Sequence, residues 1–263
     1  MIISVSGKIG SGKDTIGKII QIITSSPHFT DEAVLSFIDR PALNSKWEIR
    51  RFADKLKDIV CMLLGCTREQ LEDRSYKEAE LGKDWINSKD DVYYGKFLAE
   101  TYSPRSLLQL IGTNLFREQI LNNIWVNALM SEYKEEFISA GIGNFHNPTP
   151  RRYKSLGYPN WIITDTRFPN ELSAVQDRGG ITIRVNRISS CECGNNTDWN
   201  YSTIKEGSNR YCKICNKKQT IKNEHESEKA LDNAKFDYVI SNNGTLVELV
   251  ASVRRILTHK NIA

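Results

Sequence analysis

The chain of 263 residues contains no apolar run that approaches the ~18 residues of a membrane span. No basic region at its start leads into an apolar signal-peptide core, so the protein is expected to be soluble and cytoplasmic. Neither sign of charge dominates. Thirty-six basic against thirty-two acidic residues leave +4, too mild to make nucleic acid the main partner, although a phosphorylated small substrate fits. Internal repeats and low-complexity tracts are lacking, which leaves one large α/β domain, or one domain with a small insert, able to bury a real core. Cysteines are few and unevenly spread. Cys61 and Cys66 sit in an apolar helical stretch and read as small core residues, whereas Cys191, Cys193, Cys212 and Cys215 crowd into one segment.

What is present begins at once. Ile2-Ile3-Ser4-Val5-Ser6 reads as a short buried strand, and it runs directly into Gly7-Lys8-Ile9-Gly10-Ser11-Gly12-Lys13-Asp14-Thr15. Glycines at 7, 10 and 12 let the backbone curl so that successive N–H groups can meet phosphate oxygens. The helix that follows, with Ile16, Ile19, Ile20 and Ile23 at helical spacing, aims its positive end at the same place. Lys13 adds a mobile cation. The strict G-x-x-x-x-G-K-[ST] pattern is missed by one residue, because Asp14 follows the lysine and the hydroxyl comes at Thr15. The loop is similar to the G-x-x-G-x-G-K-x-T form of adenylate-kinase-like enzymes, which phosphorylate nucleotides and small metabolites. Lys8, Gly10, Ser11, Gly12, Lys13, Asp14 and Thr15 are therefore the candidate ATP-binding residues.

Strand and helix then alternate. Trp47 to Phe52 is a second expected strand, followed by a helix bearing Leu56, Ile59, Val60, Leu63 and Leu64. Residues 68 to 100 are charged enough to form a solvated helical excursion. Ser103-Pro104 opens another helix, with serine as cap and proline in the first turn. Asn122 to Phe137 is predicted as a further helix and Gly141 to Asn160 as a loop. Trp161 to Thr164, Ile181 to Val185 and Tyr238 to Ile240 complete five expected parallel strands, a doubly wound α/β sheet. Ligands of such sheets gather at the carboxyl ends of strands, where the first loop, Ala53-Asp54, Asp165-Thr166-Arg167 and Asn242-Asn243-Gly244 fall.

The ordered set of the first loop, Phe52 to Lys57, Ser103-Pro104-Arg105 with Leu108-Gln109 and Gly112-Thr113, Trp125-Val126, Asp165 to Glu171, and His225-Glu226-Ser227-Glu228 resembles the deoxynucleoside monophosphate kinases of tailed bacteriophages. The resemblance runs over most of the chain. It implies a P-loop kinase-like fold, ATP and Mg²⁺ as cofactors, transfer of the γ-phosphoryl group to a deoxynucleoside monophosphate, and a setting in the host cytoplasm. Rival readings are another P-loop kinase, of the dephospho-coenzyme A or adenylate kinase kind, and a nucleic-acid-binding ATPase. A homodimer is compatible with the sequence and a membrane partner is not expected.

Phosphoryl transfer spreads negative charge over equatorial oxygens, so it needs placed donors and cations more than a covalent nucleophile. Lys13, Arg167 and Asp165 are the catalytic candidates. A guanidinium at the end of a core strand presents forked, permanently charged donors, and its alternative is an ion pair with Asp165 or Glu171. The resemblance associates Asp165, Arg167 and Glu171 with the accepting nucleotide, with a magnesium role for Asp165 as the second option. Arg105 and Gln109 share one helix face, with Gly112 and Thr113 a turn further on; they suit a phosphate, a base edge and close approach, or else form an exposed polar face. Trp125 could stack on a base or be core. Lys57 resembles a substrate-side cation, with a solvated lysine as the alternative.

One segment departs from that family. Cys191-Glu192-Cys193, eighteen residues, then Cys212-Lys213-Ile214-Cys215 supply four thiolates for tetrahedral Zn²⁺ in a segment with little apolar content. The alternatives are a disulfide pair, which a cytoplasmic setting disfavours, or free thiols; with all four ligands supplied no coordination position stays open, so the zinc would be structural. The expected organisation is a kinase domain of residues 1–188 and 222–263 with a zinc-ribbon-like insertion at 189–221.

Overall fold

The computed structural model describes residues 1–40, 45–85, 102–140, 152–187, 199–204, 207–212, 215, 218–221 and 226–262. Its elements, in chain order, are β1 (Ile2–Ser6), α1 (Lys13–Ser25), α2 (Asp31–Ser36), β2 (Trp47–Arg50), α3 (Asp54–Leu64), α4 (Arg68–Glu72), α5 (Arg74–Glu78) and α6 (Pro104–Gln109). The last continues as a wider π-type helix over Leu110–Ile120. There follow α7 (Ile124–Met130), β3 (Glu136–Ala140), β4 (Arg152–Gly157), β5 (Asn160–Thr166), α8 (Pro169–Gln176) and β6 (Ile181–Asn186). Then come β7 (Trp199–Ile204), β8 (Gly207–Cys212), β9 (Lys218–Ile221), α9 (Glu226–Lys229), β10 (Tyr238–Ser241) and α10 (Leu246–His259).

Five of these strands form one sheet in the order β10-β6-β1-β5-β2, with every pairing parallel. The five strands expected from the sequence are the five that pair. Strand β1 is central and buried at all five positions, which is what a parallel strand covered on both faces requires. One face packs on α1 and α10. Ile16, Ile19, Ile20 and Ile23 join Val250, Val253 and Leu257 beneath Ile3, Val5 and Ile183 in the main apolar cluster. Burying such side chains contributes roughly 1.5–3 kcal/mol each, so this face holds the sheet in place.

The chain forms two compact units, one of Met1–Arg51 with Tyr133–Ala263 and the other of Phe52–Glu132. Of the insertion expected at 189–221, residues 189–198, 205, 206, 213, 214, 216 and 217 lie outside the described residues. Two local expectations are corrected. The helix predicted from Asn122 to Phe137 ends at Met130, after its buried Trp125, Val126, Leu129 and Met130, and residues 136–140 turn into β3. The predicted loop from Gly141 to Asn160 contains β4, which pairs antiparallel with β3. Tyr133 stacks on Tyr158 at 5.1 Å and meets Trp161 edge-on at 4.9 Å, so aromatic packing near the hairpin base competes with helix continuation. A separate three-stranded antiparallel sheet, β7-β8-β9, occupies the cysteine-rich region.

Candidate active site

The first loop departs from β1 under tight steric control. At Gly7 an added Cβ would lie 2.5 Å from both Ser11 Oγ and the Val185 carbonyl. Gly12 has φ +99° and a Cβ there would meet Asn242 Nδ2 at 2.6 Å, so only glycine fits both the backbone and the neighbour. Helix α1 starts at the next residue. Its first N–H groups have no intrahelical acceptor and carry the positive end of the helix dipole, an arrangement suited to an anion. Ser11 Oγ is buried without a hydrogen-bond partner among the described residues, an orphaned polar atom that a phosphate oxygen would satisfy.

Lys13 is 8% exposed, and its ammonium lies back over the loop, donating to the carbonyls of Gly7 at 2.6 Å and Lys8 at 2.8 Å. Asp14 stands where the strict motif has a hydroxyl. Its carboxylate accepts from Thr164 Oγ1 at 3.0 Å and Arg51 Nη2 at 3.1 Å, so the side chain ties the start of α1 to the sheet and only its main-chain N–H remains suited to a phosphate. Thr15 is half-buried in the first turn.

Strand β5 ends irregularly. Ser4 pairs with Ile163 and Ser6 with Thr166, so β5 carries one extra residue before its end, a bulge that changes where the side chains of this stretch point. Asp165 is half-buried within that bulge. Glu171, 2% exposed, accepts from the main-chain N–H of Arg167 at 2.7 Å and of Phe168 at 3.1 Å. It therefore shapes the backbone that carries Arg167. Arg167 Nη1 donates to Ser227 Oγ at 3.4 Å, from α9.

Asn242 was placed by sequence only in a turn. In the structure it is 8% exposed, and its side-chain amide donates to the Ser11 carbonyl at 2.8 Å while its own N–H bonds the Asn186 carbonyl at 2.8 Å. It clamps the loop to the ends of β6 and β10. The only local signal for this was an amide residue directly after an apolar strand. Arg184 and Asp232, beside the loop, were also missed.

The second unit holds the other sequence candidates. Ser103 and Ser106 cap α6 reciprocally with Pro104 in its first turn, as the sequence indicates. Arg105 Nε meets Glu78 Oε1 at 2.6 Å, and Gln109 ends α6 half-buried on the face of Arg105. Gly112 packs against Leu56, whose Cδ2 would lie 2.5 Å from an added Cβ, and Thr113 is half-buried beside it in sequence. Trp125 is 3% exposed, donates its indole N–H to the Gly112 carbonyl at 2.9 Å and packs on Phe116. These contacts place Trp125 in the core of this unit. The Cys61 thiol is pushed up by burial and by Cys66, as befits a packing residue.

Lys57 meets Glu72 at 2.5 Å, and Lys77 reaches the same carboxylate at 3.3 Å. Burial opposes ionisation of Glu72, yet the two lysines hold it down at about 2, against an ordinary 4.5. A carboxyl whose pKa is depressed on folding stabilises above its unfolded value, and that contribution is lost as pH falls from about 4.5 towards 2. Discounted for its exposure, the effect is about 1 kcal/mol. Glu72→Gln should be less stable than wild type at pH 7 and differ little from it near pH 2, measured by denaturant unfolding.

No family model matches the chain. A search of known proteins finds the deoxynucleoside-5'-monophosphate kinase of Escherichia phage T5, 24% identical over 205 residues, which cover 65% of this chain and 70% of that enzyme. The likeness is to a nucleotide kinase. The five-stranded parallel sheet flanked by helices is consistent with a P-loop kinase-like fold. No helix among the described residues is long and apolar enough to cross a membrane. Among the same residues no group of His, Cys, Asp or Glu is arranged to hold a metal ion; Cys191 and Cys193 lie outside them, and Cys212 closes β8 three residues before Cys215.

Proposed function

We propose that this chain is a deoxynucleoside monophosphate kinase, converting the monophosphate to the diphosphate at the expense of ATP. The observation that carries the proposal is the loop itself: a glycine-built turn at the start of α1, a buried lysine lying over it and an orphaned buried hydroxyl at Ser11. The distant phage relative supports the substrate class.

In this reading the amides from Gly10 to Thr15 bind the β- and γ-phosphates, and Ser11 Oγ completes their hydrogen bonding. Lys13 leaves its two carbonyls and follows charge onto the transferring group. Thr15 and Asp165 are the oxygen donors suited to Mg²⁺, directly or through water. Bound Mg²⁺ supplies charge neutralisation between the phosphates. Arg167, whose backbone Glu171 holds, stabilises the accepting phosphate; in the second unit, Lys57, Arg105, Gln109 and Thr113 are the residues that the resemblance assigns to nucleotide recognition. Coupled-assay turnover with each of the four deoxynucleoside monophosphates tests the proposal. ADP should form with at least one, and formation with none rejects it.

We also propose that residues 189–221 are an insertion in the kinase domain, in which Cys191, Cys193, Cys212 and Cys215 hold one structural Zn²⁺. The support is a short antiparallel sheet whose β8 ends at Cys212, with Cys215 in the turn before β9. Metal analysis of the purified protein should find about one zinc per chain. Reduced cysteines without zinc would refute this.

A further inference from the structure

Arg184 is a charged residue in a strand whose neighbours Ile183 and Val185 are both 1% exposed. Its side chain is only 12% exposed, and it pairs across the sheet with Ser6, the last residue before the phosphate loop. One arm, Nη1, donates to Ser6 Oγ at 3.1 Å; the other, Nη2, donates to Asp232 Oδ1 at 2.8 Å. The guanidinium lies 5.8 Å from the Phe236 ring, which further restricts its plane. Lys8, from the loop itself, reaches the second oxygen of Asp232 at 3.6 Å. Two cations therefore share one carboxylate at the flank of the loop. One of the two belongs to the loop itself, so positive charge stands where a polyanion bound by the loop would lie.

We propose that Arg184 is a second arginine of the phosphoryl-transfer site and that Asp232 is the positioning residue that aims it, together with Lys8, at the triphosphate. The inference rests on the nucleotide kinase reading and adds residues to it. Ser6 and Asp232 engage two of the five N–H donors of a guanidinium, which leaves forked capacity for phosphate oxygens. The same segment does a parallel job for the other arginine, since Ser227, five residues before Asp232, accepts from Arg167 Nη1. The stretch 226–237 thus contacts two arginines carried by the strands on either side of β1. That gives Ser227 of the H-x-S-E motif a positioning role.

The test pairs steady-state kinetics with calorimetric titration of MgATP into the full chain. Arg184→Met should lower kcat at least ~10-fold and weaken MgATP binding several-fold, with Arg184→Lys recovering only part, because an ammonium cannot span Ser6 and Asp232 as a fork does. Asp232→Asn should lower kcat by roughly 3- to 10-fold, and should add little in the Arg184→Met background because both act through one group. A folded Arg184→Met protein with kcat and MgATP affinity within about 2-fold of wild type, whatever its Tm, would overturn the proposal. If Arg184→Met does not fold, Arg184→Lys and Asp232→Asn are judged by the same criterion. Wild type that binds MgATP but phosphorylates no deoxynucleoside monophosphate removes the functional reading, and the calorimetric comparison then decides Arg184 alone.

Discussion

Lys13→Ala should lower turnover at least ~100-fold, the size expected when one preorganised charge is withdrawn from a phosphoryl-transfer site. In the structure the ammonium is buried and bonded to the Gly7 and Lys8 carbonyls, so the substitution also removes two charge-assisted hydrogen bonds from the loop. These bonds contribute of order 1–3 kcal/mol, a loss that stability measurements will register but that the apolar packing of α1 against the sheet can absorb. The two effects are separable. Unfolding experiments report the loss at the loop, and kcat at saturating MgATP reports the missing cation. A folded Lys13→Ala protein that turns over at near-normal rates would remove the lysine from the chemistry.

Arg167→Ala is expected to cost a similar factor, at least ~100-fold, with less disturbance of the fold. The reason is the position of Glu171. Its carboxylate binds the main-chain N–H groups of Arg167 and Phe168, and both survive replacement of the arginine side chain. The side-chain contact with Ser227, at 3.4 Å, is long, so its loss by itself costs little stability. The kinetic loss should therefore exceed the stability loss. A large fall in Tm with little change in kcat would make Arg167 a structural residue. Glu171→Gln offers a graded control: it keeps the shape but weakens the grip on two amides, so activity should fall less than in Arg167→Ala.

Much of the fold was legible because it is written in short-range pattern. The isoleucines of α1 recur at helical spacing and are all buried. Ser103-Pro104 reads as a capped helix start and is one, because capping depends on residues three apart. The region from Asn122 to Asn160 was misread for the opposite reason. Among the described residues, strands β3 and β4 pair with each other, across residues 141–151, and nothing within either segment announces the partner. The aromatic contacts of Tyr133 with Tyr158 and Trp161 are similarly distant in sequence.

The site divides along the same line. Glycine spacing, a lysine at the start of a helix and an apolar strand before them are local chemistry, so the sequence by itself determined the glycine-built loop between β1 and α1 and an alternating strand-helix order. Only the tertiary structure decided the strand order β10-β6-β1-β5-β2, which sets β6 and β10 beside the loop and β5 on its other side. That order brings Asn242 onto the Ser11 carbonyl and sets Arg184 between Ser6 and Asp232. Hydrogen bonds spanning 48 to 231 positions cannot be read from periodicity, because the free energy that selects them arises from the packed sheet as a whole.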